Sequence, residues 1–184
     1  MLRTRQPTRL LGPDDVDAAL DLCARDPAAH VFVASRILDG GLGSGAAGAF
    51  GWFEDGQLAS LVWTVANVVP VGTSDASWSH LAAQVRKVRR RCASFLGPRT
   101  EVAGLWGATQ HDFPRPRAVR AEQPLMGTHT PPSQLGVQLD PRVRPATVDE
   151  VDLVLPAAEH MFTAEIGYRP YTGNPSFYRD SLWR

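Results

Sequence analysis

The segment 162–171 holds the residues whose types come nearest to catalysis. Glu165, Tyr168 and Tyr171 are polar groups on an otherwise apolar scaffold, and Phe162 opens the segment. A carboxylate such as Glu165 could orient an amine or accept its proton. The alternative is that the aromatic rings pack against neighbouring residues and that Glu165 is solvated. The residues themselves leave both interpretations open.

The histidines and cysteines of the sequence do not have the spacing that a metal site or a nucleophilic catalytic site needs. The five histidines are His30, His80, His111, His129 and His160. No two of them lie four residues apart on one predicted helix, and neither Cys23 nor Cys92 has a second metal-ligating residue close by. We therefore predict no metal site. Cys23 lies on an apolar helix stripe, so we expect it in the core, and we expect both thiols to be reduced.

Two further segments could in principle meet phosphate. Gly43–Gly48 fits the glycine pattern of dinucleotide loops, but a predicted helix precedes it and a strand follows, which reverses the required order. A flexible loop is the preferred interpretation. Arg86–Arg91 has five basic residues out of six, yet the formal net charge of the chain is zero and no aromatic residues alternate with the basic ones. A solvated helix face is preferred there, and we do not expect nucleic acid as a partner.

An α/β fold must position these residues, because strand and helix patterns alternate along the chain. The predicted elements are strand 9–11, helices 13–25 and 30–38, hairpin 49–65, strand 67–71, helix 76–91, strand 92–97, helix 98–110 and strand 118–128. Asp55-Gly56 is a strong hairpin signal. Strands that alternate with helices late in the chain imply some parallel pairing. We predict a mixed, mostly antiparallel twisted sheet with helices on both faces.

A short internal repeat indicates a tandem architecture. Asp14–Asp17 and Asp149–Asp152 are related in sequence and lie 135 positions apart. The second copy follows a predicted strand at 142–146, and Thr147 and Glu150 have the spacing of a capping box. We predict a first domain over residues 1–129, a linker over 130–141 and the incomplete start of a second domain over 142–184.

The chain resembles a two-domain subgroup of the GNAT superfamily of N-acetyltransferases. The resemblance rests on Asp26-Pro27 with Val31–Val33, and on Ala66–Val71, Gln123–Leu125 and Met161–Gly167. It implies a GNAT-like first domain, an incomplete second GNAT domain, and transfer of an acyl group from acetyl-CoA to an amine of a small molecule or protein. In such domains the first two helices wall the acceptor site. The resemblance therefore places that site at Phe162, Glu165, Tyr168 and Tyr171.

The first domain departs from the family pattern at the cofactor loop. The family loop, Arg/Gln-x-x-Gly-x-Gly/Ala, holds pyrophosphate with backbone N–H groups at a helix N-terminus. At the matching position, Val71–Ser77, only Gly72 is available, the arginine is missing, and Asp75 adds negative charge. We therefore expect a degenerate first copy. The resemblance places the acetyl-CoA loop in a part of the second domain beyond this chain, so no catalytic or cofactor-binding residue is assigned.

The alternative function is a non-catalytic binding or dimerisation module, and the sequence leaves a homodimer open. No run of about 18 apolar residues occurs, and no apolar segment follows Arg3 and Arg5 as it would in a signal peptide. We expect a cytoplasmic protein that does not enter a membrane.

Overall fold

The described residues form an α/β protein with one mixed sheet. The computed structural model describes residues 7–43 and 48–183. It divides the chain into two compact units, Met1–Met126 (unit 1) and Gly127–Arg184 (unit 2). The strands of unit 1 are β1 (Thr8–Leu10), β2 (Ala49–Glu54), β3 (Gln57–Trp63), β4 (Ala66–Val71) and β5 (Cys92–Phe95). Its helices are α1 (Val16–Ala24), α2 (Pro27–Gly40), α3 (Asp75–Val88) and α4 (Arg99–Thr109).

The order of strands in the sheet is their order in the chain, from β1 to β5. The first four strands pair antiparallel, and β4 pairs with β5 in parallel. The turn between β2 and β3 has positive φ at Asp55 (49°) and at Gly56 (82°), as a two-residue hairpin turn of type I′ requires. The predicted fold class and hairpin are therefore confirmed.

Helices cover both faces of the sheet because successive strand residues point to opposite sides. Leu61 and Trp63 of β3 pack in one core cluster with residues of α1 and α2, such as Leu22 and Ile37. Val62, which lies between them, packs in a second cluster with residues of α3 and α4. Cys23 is buried in the first cluster and both cysteines are free thiols, as predicted.

Helices α3 and α4 approach each other closely where a glycine faces an indole ring. A Cβ atom added at Gly104 would lie 2.1 Å from Cε2 of Trp78. Only glycine fits this contact without a movement of the helices. Leu105, the next residue of α4, is fully buried with Leu81 and Val85 of α3.

The described residues of unit 2 form two α-helices, α5 (Val151–Ile166) and α6 (Ser176–Trp183). Gly167 ends α5 in the left-handed conformation, and its N–H donates to the Thr163 carbonyl at 2.8 Å. Leu153 and Met161 of α5 are 78% and 57% exposed. The described part of unit 2 contains no strand, so no sheet covers these side chains within the unit.

The entry to α1 is repeated in detail at the entry to α5. The guanidinium of Arg9 makes two hydrogen bonds to Asp15, at 2.6 and 2.7 Å, and Gly12 N–H donates to the same carboxylate at 2.8 Å. At the second site Arg144 makes two bonds to Glu150, at 2.7 and 2.6 Å, and Thr147 N–H donates at 2.9 Å.

The pKa values of the two repeated carboxylates shift in the same direction. The Arg9 guanidinium holds the pKa of Asp15 below its usual range. Hydrogen bonds from Arg144 and from the Thr147 backbone lower the pKa of Glu150 to about 2. The 135-position repeat predicted from sequence therefore extends to side-chain geometry at these two helix entries.

Two predicted strands are wrong. Residues 118–128 and 142–146 contain no strand. Four apolar side chains of these segments are 70% exposed or more: Val119, Leu125, Met126 and Val143. These segments therefore bury no apolar face that could stabilise a strand. The predicted buried strand at 92–97 exists as β5, but it is an edge strand and its residues are half-buried or exposed.

Candidate functional site

The loop after β4, where the resemblance places a cofactor loop, is closed by a carboxylate of the chain itself. Glu101 lies in the first turn of α4, and its Oε2 accepts hydrogen bonds from Thr73 N–H at 2.7 Å and from Thr73 Oγ1 at 3.0 Å. Trp78 Nε1 donates to Thr73 Oγ1 at 3.3 Å and completes a small network. Thr73 is buried. A backbone N–H that could have met an external anion is therefore already satisfied.

The remaining residues of this loop also disfavour an anion. Asp75 is the first residue of α3, and its carboxylate accepts from the Ala76 N–H at 3.0 Å. Ser74 N–H donates to Ser77 Oγ at 3.0 Å. Within residues 71–77, Gly72 is the one residue with a left-handed φ, at 66°. Backbone donors at a helix N-terminus attract anions, and here two carboxylates of the chain occupy that position.

A second polar site lies between α5 and α6 in unit 2 and is centred on Glu159. Its Oε2 accepts from the Tyr171 hydroxyl at 2.6 Å, and its Oε1 pairs with Arg169 Nε at 2.9 Å. The ring of Tyr171 contacts that of Tyr178, and ring contacts then continue to Phe162 and Tyr168, all in edge-on or tilted geometry with centroids 5.9–6.0 Å apart. We call this set, with Arg169, the Glu159 cluster.

The hydrogen bond to Glu159 raises the pKa of Tyr171. The phenol therefore stays protonated at neutral pH and acts as a donor, not as a base. A carboxylate offers about four lone-pair positions, and Arg169 and Tyr171 use two of them. Glu159 could therefore accept a further N–H.

The structure brings together three of the four residues that the sequence singled out. Phe162, Tyr168 and Tyr171 belong to the Glu159 cluster. Glu165 is exposed and lies six residues after Glu159, about 240° further around the helix at 100° per residue.

Glu159 was not predicted from the sequence, because Glu165 is the carboxylate nearest to Tyr168 and Tyr171 along the chain. The available signal was helical spacing. Glu159 precedes Phe162 by three residues and Thr163 by four, so these residues share one face.

The glycine-rich and metal-ligand motifs add no site within the described residues. Of the glycine-rich segment Gly43–Gly48, residues 44–47 lie outside the described residues. No group of three or more His, Cys, Asp or Glu side chains within 7–43 and 48–183 could hold a metal ion. In those same ranges no helix is long and apolar enough to cross a membrane.

A family model described as a domain of unknown function, DUF4081, matches residues 47–154. The match runs from the start of β2 through α4 and into the first turn of α5, and it ends before Glu159. It therefore includes Thr73, Glu101 and the Arg144–Glu150 pair. No significant match to the chain was found among curated proteins or among solved structures. Because the match covers more than half of the chain, the protein belongs to the DUF4081 family.

Proposed function

We propose that the protein is of the GNAT N-acetyltransferase type, with acetyl-CoA as acyl donor and an amine as acceptor, and that unit 1 is a copy that does not hold the cofactor. The element order of unit 1, β-α-α-β-β-β-α-β-α, matches the one that the resemblance implies up to α4, but the final strand of that order, predicted at 118–128, is not formed. Support also comes from the repeated entry geometry, because two copies of one domain type would share it.

The observation that carries the proposal for unit 1 is the pair of hydrogen bonds from Thr73 to Glu101. A pyrophosphate at this loop would face the Glu101 carboxylate, and the Thr73 N–H would have to exchange a charge-assisted hydrogen bond of the chain for one to the ligand. Unit 1 then serves as a binding or supporting module. The same observation favours the second candidate function, in which the whole chain is a non-catalytic module.

Unit 2 supplies the acceptor side of the proposal. The Glu159 carboxylate can accept an N–H from an amine, and the aromatic rings of the cluster suit an alkylammonium group. Arg169 and Tyr171 would hold the carboxylate in place. The role of Glu159 in this proposal is orientation of the amine.

Calorimetric titration of acetyl-CoA into the protein tests the cofactor half. We expect no saturable heat from wild type under conditions in which a micromolar site would be evident. Saturable binding with a stoichiometry near one that is lost in a Gly72→Val variant would place the cofactor in this loop and overturn the proposal for unit 1.

Titration with spermidine and with n-butylamine, followed by tyrosine fluorescence or proton NMR, tests the acceptor half. Glu159→Gln should weaken binding, and Glu165→Gln is the matched control because that carboxylate lies on the same helix and outside the cluster. Binding unchanged by Glu159→Gln and abolished by Glu165→Gln would show that the acceptor site is elsewhere on α5. Absence of amine binding in all variants would favour the non-catalytic module.

A further inference from the structure

A concave surface at the carboxyl end of α3 concentrates positive charge that the proposed acyl transfer does not use. It is an open surface depression of about 570 Å³. The half-buried Phe50 of β2 forms one wall. Lys87, Val88 and the three-residue 3-10 turn Arg89–Arg91 form the rest, and we call the whole set the arginine groove.

Within the described part of the chain, the cations of the arginine groove make no ion pair with a carboxylate. Neighbouring Arg86 is used within the fold, since it donates to Asp112 at 2.5 Å and to the Ala108 carbonyl at 3.0 Å. Among the residues that the structure describes, no ion pair includes Lys87, Arg89, Arg90 or Arg91. Lys87 and Arg89 donate only to neutral oxygens.

Complementing the dipole of α3 explains only part of this charge. Cations in the last turn of a helix stabilise it, and Arg86 and Lys87 already occupy that turn. Arg89, Arg90 and Arg91 follow it on a separate 3-10 turn and are all exposed. Four like charges on neighbouring residues repel one another, and an anion bound among them would reduce that repulsion. A bound anion would therefore stabilise this arrangement.

We propose that the arginine groove binds a small polyphosphate anion of nucleotide size. Guanidinium groups bind phosphate oxygens through two parallel hydrogen bonds, which gives them an advantage over point charges at such sites. Phe50 supplies an apolar wall against which a base or another flat group can lie.

This site is separate from the loop at Thr73 and Glu101, and it goes beyond the proposed acyl transfer. The 14 residues of α3 lie between the two, a length of about 21 Å at 1.5 Å per residue. A ligand of the groove would therefore be insensitive to changes at Glu101.

The test is titration of ATP and of inorganic tripolyphosphate into the whole protein, followed by calorimetry and by ³¹P NMR line width. We expect one saturable site that weakens as salt is raised, because the attraction is between charges. The double variant Arg90→Gln/Arg91→Gln should bind at least about ten-fold more weakly, since two charge-assisted contacts are lost. Arg115→Gln/Arg120→Gln makes the same charge change at exposed positions outside the groove and should bind like wild type.

Equal binding by wild type and by the groove variant, or no saturable binding, would overturn the proposal. Tight binding of a single-stranded RNA oligonucleotide without binding of ATP would show that the ligand class is wrong. If circular dichroism shows that the double glutamine variant is unfolded, Arg90→Lys/Arg91→Lys keeps the charge and removes only the guanidinium geometry. We expect intermediate affinity from it, and wild-type affinity would refute the guanidinium contacts. Glu101→Gln should leave ATP binding unchanged, which separates this result from the cofactor test.

Discussion

Replacing Glu101 by alanine removes the acceptor for two hydrogen bonds at once. Thr73 N–H and Thr73 Oγ1 lose their partner, at 2.7 and 3.0 Å in the structure, and Thr73 is only 8% exposed. Leaving a buried donor unpaired costs about 1–3 kcal/mol. Loss of a carboxylate from the first turn of α4 adds about 0.3–1 kcal/mol through the helix dipole. We expect the free energy of unfolding to fall by about 2–3 kcal/mol.

Urea denaturation of the whole protein, followed by tryptophan fluorescence, measures this change because Trp78 belongs to the same network. Glu101→Gln keeps an oxygen acceptor and loses the charge, so it should fall between wild type and Glu101→Ala. Glu122→Ala is the matched control, since Glu122 is 85% exposed and its nearest cation, Arg99, lies 3.9 Å away. A substitution of this kind changes stability by no more than about 0.5 kcal/mol. If Glu101→Ala were no more destabilising than Glu122→Ala, the carboxylate would not be what closes the loop after β4.

Two further predictions concern a helix contact and a titration. Gly104→Ala should destabilise the protein by about 1–3 kcal/mol, because the new Cβ would overlap the Trp78 ring. Gly107→Ala on the same helix has open space around it and should be neutral or stabilising by up to about 1 kcal/mol in thermal or urea unfolding. Arg144→Gln should raise the pKa of Glu150 from about 2 toward its ordinary value of 4.5, as followed by carboxyl NMR. Because folding lowers this pKa, the pair contributes stability above about pH 4.5 that is lost as the pH falls toward 2, and an unchanged titration in the variant would contradict the ion pair.

Most of the fold of unit 1 could be predicted because local patterns and tertiary packing agree there. The Asp55-Gly56 turn and the apolar alternation around it set the hairpin, and the core that the sheet forms depends on that same alternation. Beyond α4, the local sequence pattern and the tertiary packing no longer agree. Residues 118–128 have enough apolar character to suggest a strand, but no neighbouring strand offers them a ladder, and Pro124 has no N–H to donate.

The candidate sites were predictable only in part, because side-chain partners across long sequence separations leave no local signal. Glu101 lies 28 residues after Thr73, and nothing in either segment indicates that they meet. Glu159 and Tyr171 are 12 residues apart on different elements. The aromatic residues of unit 2 were predicted because they lie close together along the chain, whereas Glu159, to which Tyr171 donates, was not.

The sheet order has a consequence for how the protein folds. Every described strand hydrogen-bonds to the strand before or after it in sequence, but the closures differ in length. The β2–β3 and β3–β4 pairs close short loops, whereas the β1–β2 pair closes across α1 and α2 and the parallel β4–β5 pair closes across α3. Local pairing of the kind seen in β2–β3–β4 favours early formation of that part of the sheet. The three-stranded meander can therefore form first, and β1 and β5 can then add at its two edges.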